Sequence, residues 1–145
     1  MELTIRFITQ KSEMLEMFSL IHQLNPRLSE QDFNSRIHEM FPMNYGMAGV
    51  FDGDTCVAVS GYWIATKLYS GKYMELDNVV VDRKYRSKGL GKMLGDFLTK
   101  HALEQGCLAM MLDAYLENES GHRFYEREGF VKKGFHFVKK LKTKS

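Results

Sequence analysis

Leu3, Ile5 and Phe7 alternate with polar neighbours, the period-two signature of a strand with one buried face. The period then lengthens. Met14, Met17, Phe18, Ile21 and Leu24 recur at helical spacing until Pro26 interrupts, and Ser29 with Asp32 marks the capped start of a second helix through Phe33, Ile37 and Met40. Met47–Phe51 and Thr55–Thr66 read as strands joined at Asp52-Gly53-Asp54, a hairpin signal because both central positions of a type I′ turn need positive φ. After a Ser70-Gly71 turn, Tyr73–Val81 reads as a strand in two parts. In the first, Met74 and Leu76 alternate with Glu75 and Asp77; the second, ending in Val79, Val80 and Val81, is apolar on both faces.

Leu90, Met93, Leu94, Phe97, Leu98, His101 and Ala102 then form the clearest apolar stripe in the chain, a helix ending near Gly106. Cys107–Leu112 suits a buried parallel strand, Asn118–Glu128 a short helix stopped by Gly129, and Phe130–Leu141 a last strand with a lysine-rich edge. The order of elements predicts an α/β fold: a mixed, mostly antiparallel sheet flanked by helices.

Length and composition narrow this further. A chain of 145 residues with 44% hydrophobic content is expected to fold as one domain over residues 1–145 and to bury a core without metal or disulfide support. Cys56 and Cys107 lack the spacing of a zinc site or a disulfide framework, so no metal is expected. A formal net charge of +2 gives no general reason to bind nucleic acid or membrane. No apolar run resembles a signal peptide or a membrane span, which makes a reduced, cytoplasmic setting the default expectation.

The local charge is different. Arg83-Lys84-Tyr85-Arg86-Ser87-Lys88-Gly89-Leu90-Gly91-Lys92 holds five cations and no acid directly before the positive end of a helix, an arrangement that an anion would relieve. A surface loop with two permissive glycines is one reading. A magnesium-dependent phosphate loop fails, because Met93 stands where a hydroxyl should follow Gly91-Lys92. A dinucleotide loop is closer, with Gly89, Gly91 and Gly95 opening the helix and Asp113 near the end of the next strand. In that motif, however, the first glycine comes directly off its strand, and here Asp82–Lys88 intervene.

Arg86-Ser87-Lys88-Gly89-Leu90-Gly91 also fits the Arg-x-x-Gly-x-Gly pattern of the GNAT family of N-acetyltransferases. A second motif follows where that family needs it: Asn118, then His122-Arg123-Phe124-Tyr125 and Glu126-x-x-Gly129-Phe130. The chain resembles this family across its C-terminal half in motifs and across its N-terminal half in layout. The resemblance implies a GNAT-like domain whose fourth and fifth strands splay apart. Acetyl-CoA would be the cosubstrate, its pyrophosphate held by the main chain and side chains of Arg86, Ser87, Lys88, Gly89, Leu90, Gly91 and Lys92. Its pantetheine arm would lie along Val79, Val80 and Val81, with Asn118 beside it.

Glu75 and Asp77 share strand parity with Val79 and Val81, so they are expected to face the same cleft and to accept the proton of an incoming amine, Glu75 first. Tyr125 matches the family's acid for the departing thiolate, while His122 reads as helix surface. Arg83 stands where the family often has proline, and Ser87 where glycine is frequent. The implied function is acetyl transfer to a primary amine of a small molecule or peptide, by direct attack in a ternary complex. The acceptor is expected between the first two helices and the Tyr62–Lys72 hairpin, near Trp63, Tyr69 and Tyr73. A homodimer is compatible with the pattern. A non-catalytic acyl-CoA sensor and a dinucleotide-binding module are the competing classes.

Overall fold

Five strands in sequential order make one sheet: β1 (Leu3–Phe7), β2 (Gly46–Asp52), β3 (Thr55–Lys67), β4 (Gly71–Val81) and β5 (Ala109–Met111). The first four are antiparallel to their neighbours and β4–β5 is parallel. These coordinates are a computed structural model that describes residues 2–142. The chain divides between Leu112 and Asp113 into two compact units, and the whole sheet lies in the first.

Between β1 and β2 the expected first helix forms as two pieces, α1 (Lys11–Leu15) and α2 (Phe18–Leu24). The break falls at Met17, whose N–H bonds back only three residues, to Met14. The next helix, α3 (Glu30–Met40), is capped as its sequence predicts: the Ser29 hydroxyl accepts from the Asp32 N–H at 3.0 Å. Met14, Leu20, Ile21, Phe33 and Ile37 from these helices meet Met47, Val59 and Val80 on one sheet face. Each such buried side chain contributes about 1.5–3 kcal/mol of apolar burial. Helix α4 (Leu90–Glu104) buries Leu90, Leu94, Leu98 and Ala102, and its Phe97 and His101 meet Phe7, whose register partner Ala48 belongs to the opposite sheet face.

The β2–β3 hairpin turns at Gly53-Asp54, but only Gly53 has positive φ. One positive φ at the first central position is the pattern of a type II′ turn, not the expected type I′. In the second unit, α5 (Glu119–Arg127) ends as its glycine predicts: with Gly129 at φ +96°, the Phe130 N–H reaches the Tyr125 carbonyl at 3.0 Å and the Gly129 N–H reaches that of Glu126 at 3.1 Å.

The expected last strand does not form. Residues 130–140 adopt no regular secondary structure, and Phe135, Phe137 and Leu141 are exposed. Alternation states which side chains would share a face, whereas a strand also needs a ladder partner, which alternation does not supply.

Candidate active site

The basic stretch becomes a short 3-10 turn, Arg83–Tyr85, followed by a loop into α4. Ser87 and Gly89 both take the left-handed region, at φ +64° and +81°. At position 87 serine carries its Cβ in that region at a conformational cost. A Cβ built on Gly89 would meet nothing within 4 Å, so this glycine serves the backbone turn and leaves open space on its outer side. No side chain caps α4 and its first turn has no acid, which leaves the Leu90 and Gly91 N–H groups and the positive helix end directed at that space. Lys92 also pairs with Asp96 at 3.4 Å.

The loop is anchored at its root by contacts that sequence reading missed. Asp82 accepts from the Lys84 N–H at 2.9 Å, Gln23 of α2 accepts from the Arg83 N–H at 3.1 Å, and the Tyr85 hydroxyl donates to Asp52 at 2.6 Å. The aspartate bond and burial raise the Tyr85 pKa. These partners are scattered over three distant segments, so no local motif announces them.

Strand β4 pairs with β5 only at Tyr73, Met74 and Glu75, and beyond Glu75 its outer edge has no strand neighbour among the described residues. The Asp82 N–H bonds Val57 of β3 at 2.8 Å, so strand alternation turns the Val81 main chain to the open edge. There the Val81 carbonyl accepts from Arg86 Nε at 3.4 Å.

The parity expected along β4 is interrupted. Asp77 lies opposite Gly61 and Val80 opposite Val59, so two β4 residues, Asn78 and Val79, face the single Ser60. This is a bulge, with Asn78 at φ +56°. Val80, not Val79 or Val81, therefore shares the face of Asp77. Glu75 and Asp77 remain together on one face, opposite Trp63 and Gly61.

Asp77 is held by two donors, Trp63 Nε1 at 3.2 Å and Asn78 Nδ2 at 3.0 Å. Trp63 packs its ring against Tyr45 at 5.1 Å between centroids, and the Tyr45 hydroxyl lies over Gly61, where a Cβ would strike it. Burial, then the Asp77 charge, raises the Tyr45 pKa, so its hydroxyl stays protonated. Of the other aromatic residues expected at the acceptor side, Tyr73 is buried beneath Lys67 and Tyr69 is exposed.

Where β1 ends and β2 begins, a cleft of about 410 Å³ opens, lined among others by Phe7, Ile8, Met14, Phe41, Tyr45 and Tyr62, with no charged residue in its wall. Gly46 is required there, because a Cβ would run into the Tyr62 ring. No sequence motif predicted this cleft; the nearest signal was a pair of glycines, Gly46 and Gly61, inside strands, which often marks a close approach.

In the second unit, Asn118 is the N-cap of α5, accepting from the Gly121 N–H at 3.1 Å. Tyr125 packs edge-on against Phe124 and Phe130, and burial raises its pKa. His122 lies 2.8 Å from the Tyr115 carbonyl, a local tether. Among the described residues no helix is long and apolar enough to cross a membrane, and no group of three or more His, Cys, Asp and Glu residues could hold a metal ion.

A basic loop and an uncapped helix start, beside a strand edge left open by a short parallel neighbour, are joined by a decisive match: the model of the acetyltransferase (GNAT) family covers residues 12–130. The chain belongs to the GNAT family. It is an N-acetyltransferase. It is 30% identical to the glucosamine 6-phosphate N-acetyltransferase of Arabidopsis thaliana over 120 residues, 77% of each chain. The crystal structure of that plant enzyme superposes with a TM-score of 0.74 at 26% identity, covering 98% of this chain and all of that one. An uncharacterized N-acetyltransferase of Bacillus subtilis, YhdJ, is 25% identical over 134 residues, 91% of this chain and 94% of its own. In fold alone, aminoglycoside N-acetyltransferase AAC(6')-Iy, solved with CoA, matches at a TM-score of 0.84 and 18% identity over 97% of this chain and 95% of that one.

Proposed function

We propose that this GNAT acetyltransferase moves the acetyl group of acetyl-CoA to a primary amine of a small molecule or peptide, by direct attack within a ternary complex. The observation that carries the reading is the adjacency, within one unit, of the α4 N-terminus at Gly89 and the unpaired edge of β4 that ends at Val81. The residues present fit the cosubstrate: the open space outside Gly89 and the Leu90 and Gly91 N–H groups suit a pyrophosphate, with Arg86, Lys88 and Lys92 supplying charge. Val81 offers main-chain groups to an extended amide-bearing arm, in the manner of strand addition.

When bound, acetyl-CoA supplies the activated acetyl carbon; the chain supplies binding, orientation and proton handling. An amine with a pKa of about 10.4 is mostly protonated at neutral pH and must lose a proton before it attacks. Glu75 is assigned that proton. Asp77 receives hydrogen bonds from Trp63 and Asn78, which hold its carboxylate in place and suit it to anchoring an ammonium. The nitrogen bonds the acetyl carbon as the carbon–sulfur bond breaks. After attack the nitrogen loses its second proton to solvent while one proton reaches sulfur, giving an amide and a free thiol, and the proton taken first by Glu75 is released to water. Tyr125, kept protonated by burial, is assigned the proton that reaches sulfur. The plant relative named for glucosamine 6-phosphate supports an amine acceptor of small size.

The test is thiol release from acetyl-CoA across an amine panel, run beside calorimetry with acetyl-CoA and NADP. Amine-dependent thiol release is the expected outcome. Acetyl-CoA binding with no turnover on any amine would favour a sensor, and NADP binding without acetyl-CoA binding would overturn the donor assignment.

A further inference from the structure

The loop proposed to hold the pyrophosphate is a hard one to keep in a single shape. Arg83, Lys84, Arg86, Lys88 and Lys92 repel one another with no acid among residues 83–92, and Ser87 sits in the left-handed region at φ +64°. Left loose, such a loop is ordered only when its anion arrives, and the affinity is lowered by that ordering. Its root is not loose. The Asp82 N–H bonds the Val57 carbonyl of β3 at 2.8 Å. Gln23 of α2 then meets the next step of the chain with both ends of its amide: its carbonyl accepts from the Arg83 N–H at 3.1 Å, and its NH2 group reaches Asp82 Oδ2 at 3.5 Å. On another side the Tyr85 hydroxyl donates to Asp52 at 2.6 Å. Both partners stand on firm ground. Ile21, two residues before Gln23, packs in the same core as Val80, next to the strand end at Val81, and Asp52 is paired with Leu3 and Thr55. Gln23 carries no charge and its amide is engaged at the loop root, so whatever it does for an anion runs through the loop.

We infer that Gln23 is a positioning residue for the donor: through the Arg83 N–H and the Asp82 carboxylate it holds the loop from Ser87 to Gly91 in its anion-receiving shape before acetyl-CoA arrives, with Tyr85 on Asp52 as a second fastening. The inference rests on the acetyltransferase reading above and concerns the donor half of the same site. Ordering of the loop then accompanies folding, and binding keeps the interaction free energy that a loose loop would lose. The effect is specific to one end of the donor. S-acetyl-pantetheine has the same thioester and amide arm as acetyl-CoA and lacks the pyrophosphate, so it makes no use of the loop that Gln23 holds.

The experiment compares the native chain with Gln23→Met, which keeps the length of the side chain and removes both polar ends, and with Tyr85→Phe, which keeps the ring and removes the donor to Asp52. Calorimetry gives the acetyl-CoA Kd, and thiol release with an amine that the native chain acetylates gives kcat and KM for acetyl-CoA and for S-acetyl-pantetheine. Each variant should raise the acetyl-CoA Kd by about threefold to tenfold. Its kcat/KM with acetyl-CoA should fall by a similar factor, mainly through KM, while kcat/KM with S-acetyl-pantetheine stays within about twofold of the native value. Gln23→Ala, which leaves only the helix backbone and Cβ, keeps the test valid if the methionine variant does not fold. An unchanged acetyl-CoA Kd in a folded Gln23 variant would overturn the inference and leave the acetyltransferase reading standing. Equal losses with both donors would assign Gln23 to the fold at large and overturn the inference as well. Failure of the native chain to bind acetyl-CoA would overturn the donor assignment and the inference with it.

Discussion

The proposed donor side and the proposed acceptor side of this acetyltransferase are built from different material. The loop from Arg86 to Gly91 presents main chain: two left-handed residues, Ser87 and Gly89, and the uncapped start of α4. The proposed acceptor side presents side chains from neighbouring strands, Glu75 and Asp77 of β4 beside Trp63 of β3, with Tyr45 packed on that indole. A ligand recognised by backbone demands a short contiguous run of permissive residues. One recognised by side chains can be assembled from anywhere. The first is conspicuous in a sequence and the second is not, although both lie on the same sheet.

Gly89→Glu puts the sharpest strain on that contrast. It places a carboxylate where the anion is expected and a Cβ at φ +81°, and acetyl-CoA affinity by calorimetry should fall about 100-fold or more while the circular dichroism of the fold persists. Unchanged affinity would mean that the loop is not the donor site. Next in size, Glu75→Gln should lower kcat by about 100-fold, whereas Asp77→Asn should act mainly on KM, by about tenfold; the reverse split would exchange their roles.

Tyr125→Phe should cost roughly tenfold to 100-fold in kcat. Burial places the Tyr125 pKa above the ordinary tyrosine value, so the acid form persists through neutral pH and is lost only as pH rises beyond that value. A falling alkaline limb in the native profile should therefore vanish in the variant. Trp63→Phe keeps a ring against Tyr45 but removes one donor from Asp77, and a loss of about fivefold in kcat/KM is expected.

The smallest effect tests the frame of the cleft, not its chemistry. Arg6 and Glu13 tie β1 to α1 through two contacts, at 2.9 and 2.6 Å. The arginine bond lowers the Glu13 pKa, so the pair adds stability above the ordinary glutamate range and loses it as pH falls through the lowered value. Because the pair is largely exposed, Glu13→Gln should cost below about 1 kcal/mol in urea unfolding at neutral pH and nothing in strong acid.

What the sequence made legible follows the same division. Helical and strand periods placed α3, α4 and the four long strands, because burial on one face writes its period directly into the chain. The capping serine, Ser29, and the closing glycine, Gly129, were readable for the same local reason. The bulge at Asn78 was not. It depends on how β4 meets β3, and it moves Val80 onto the face of Asp77 in place of Val79 and Val81. The last expected strand failed for a related reason: a pattern of alternating side chains carries no information about the partner that would complete the ladder. The anchors Gln23, Asp52 and Tyr85 are isolated polar residues whose meaning lies wholly in distance across the fold.

Gly61 bears on any attempt to retarget the enzyme. Its missing side chain is the seat of the Tyr45 hydroxyl, so the two positions behave as a lock and its key blank: a larger residue at 61 needs a shorter one at 45. A side chain added at 61 alone would strike the Tyr45 ring. Varied as a pair, they become an adjustable dimension beside Asp77, a place where a descendant of this chain could be given room for a bulkier amine without disturbing the loop proposed to hold the donor.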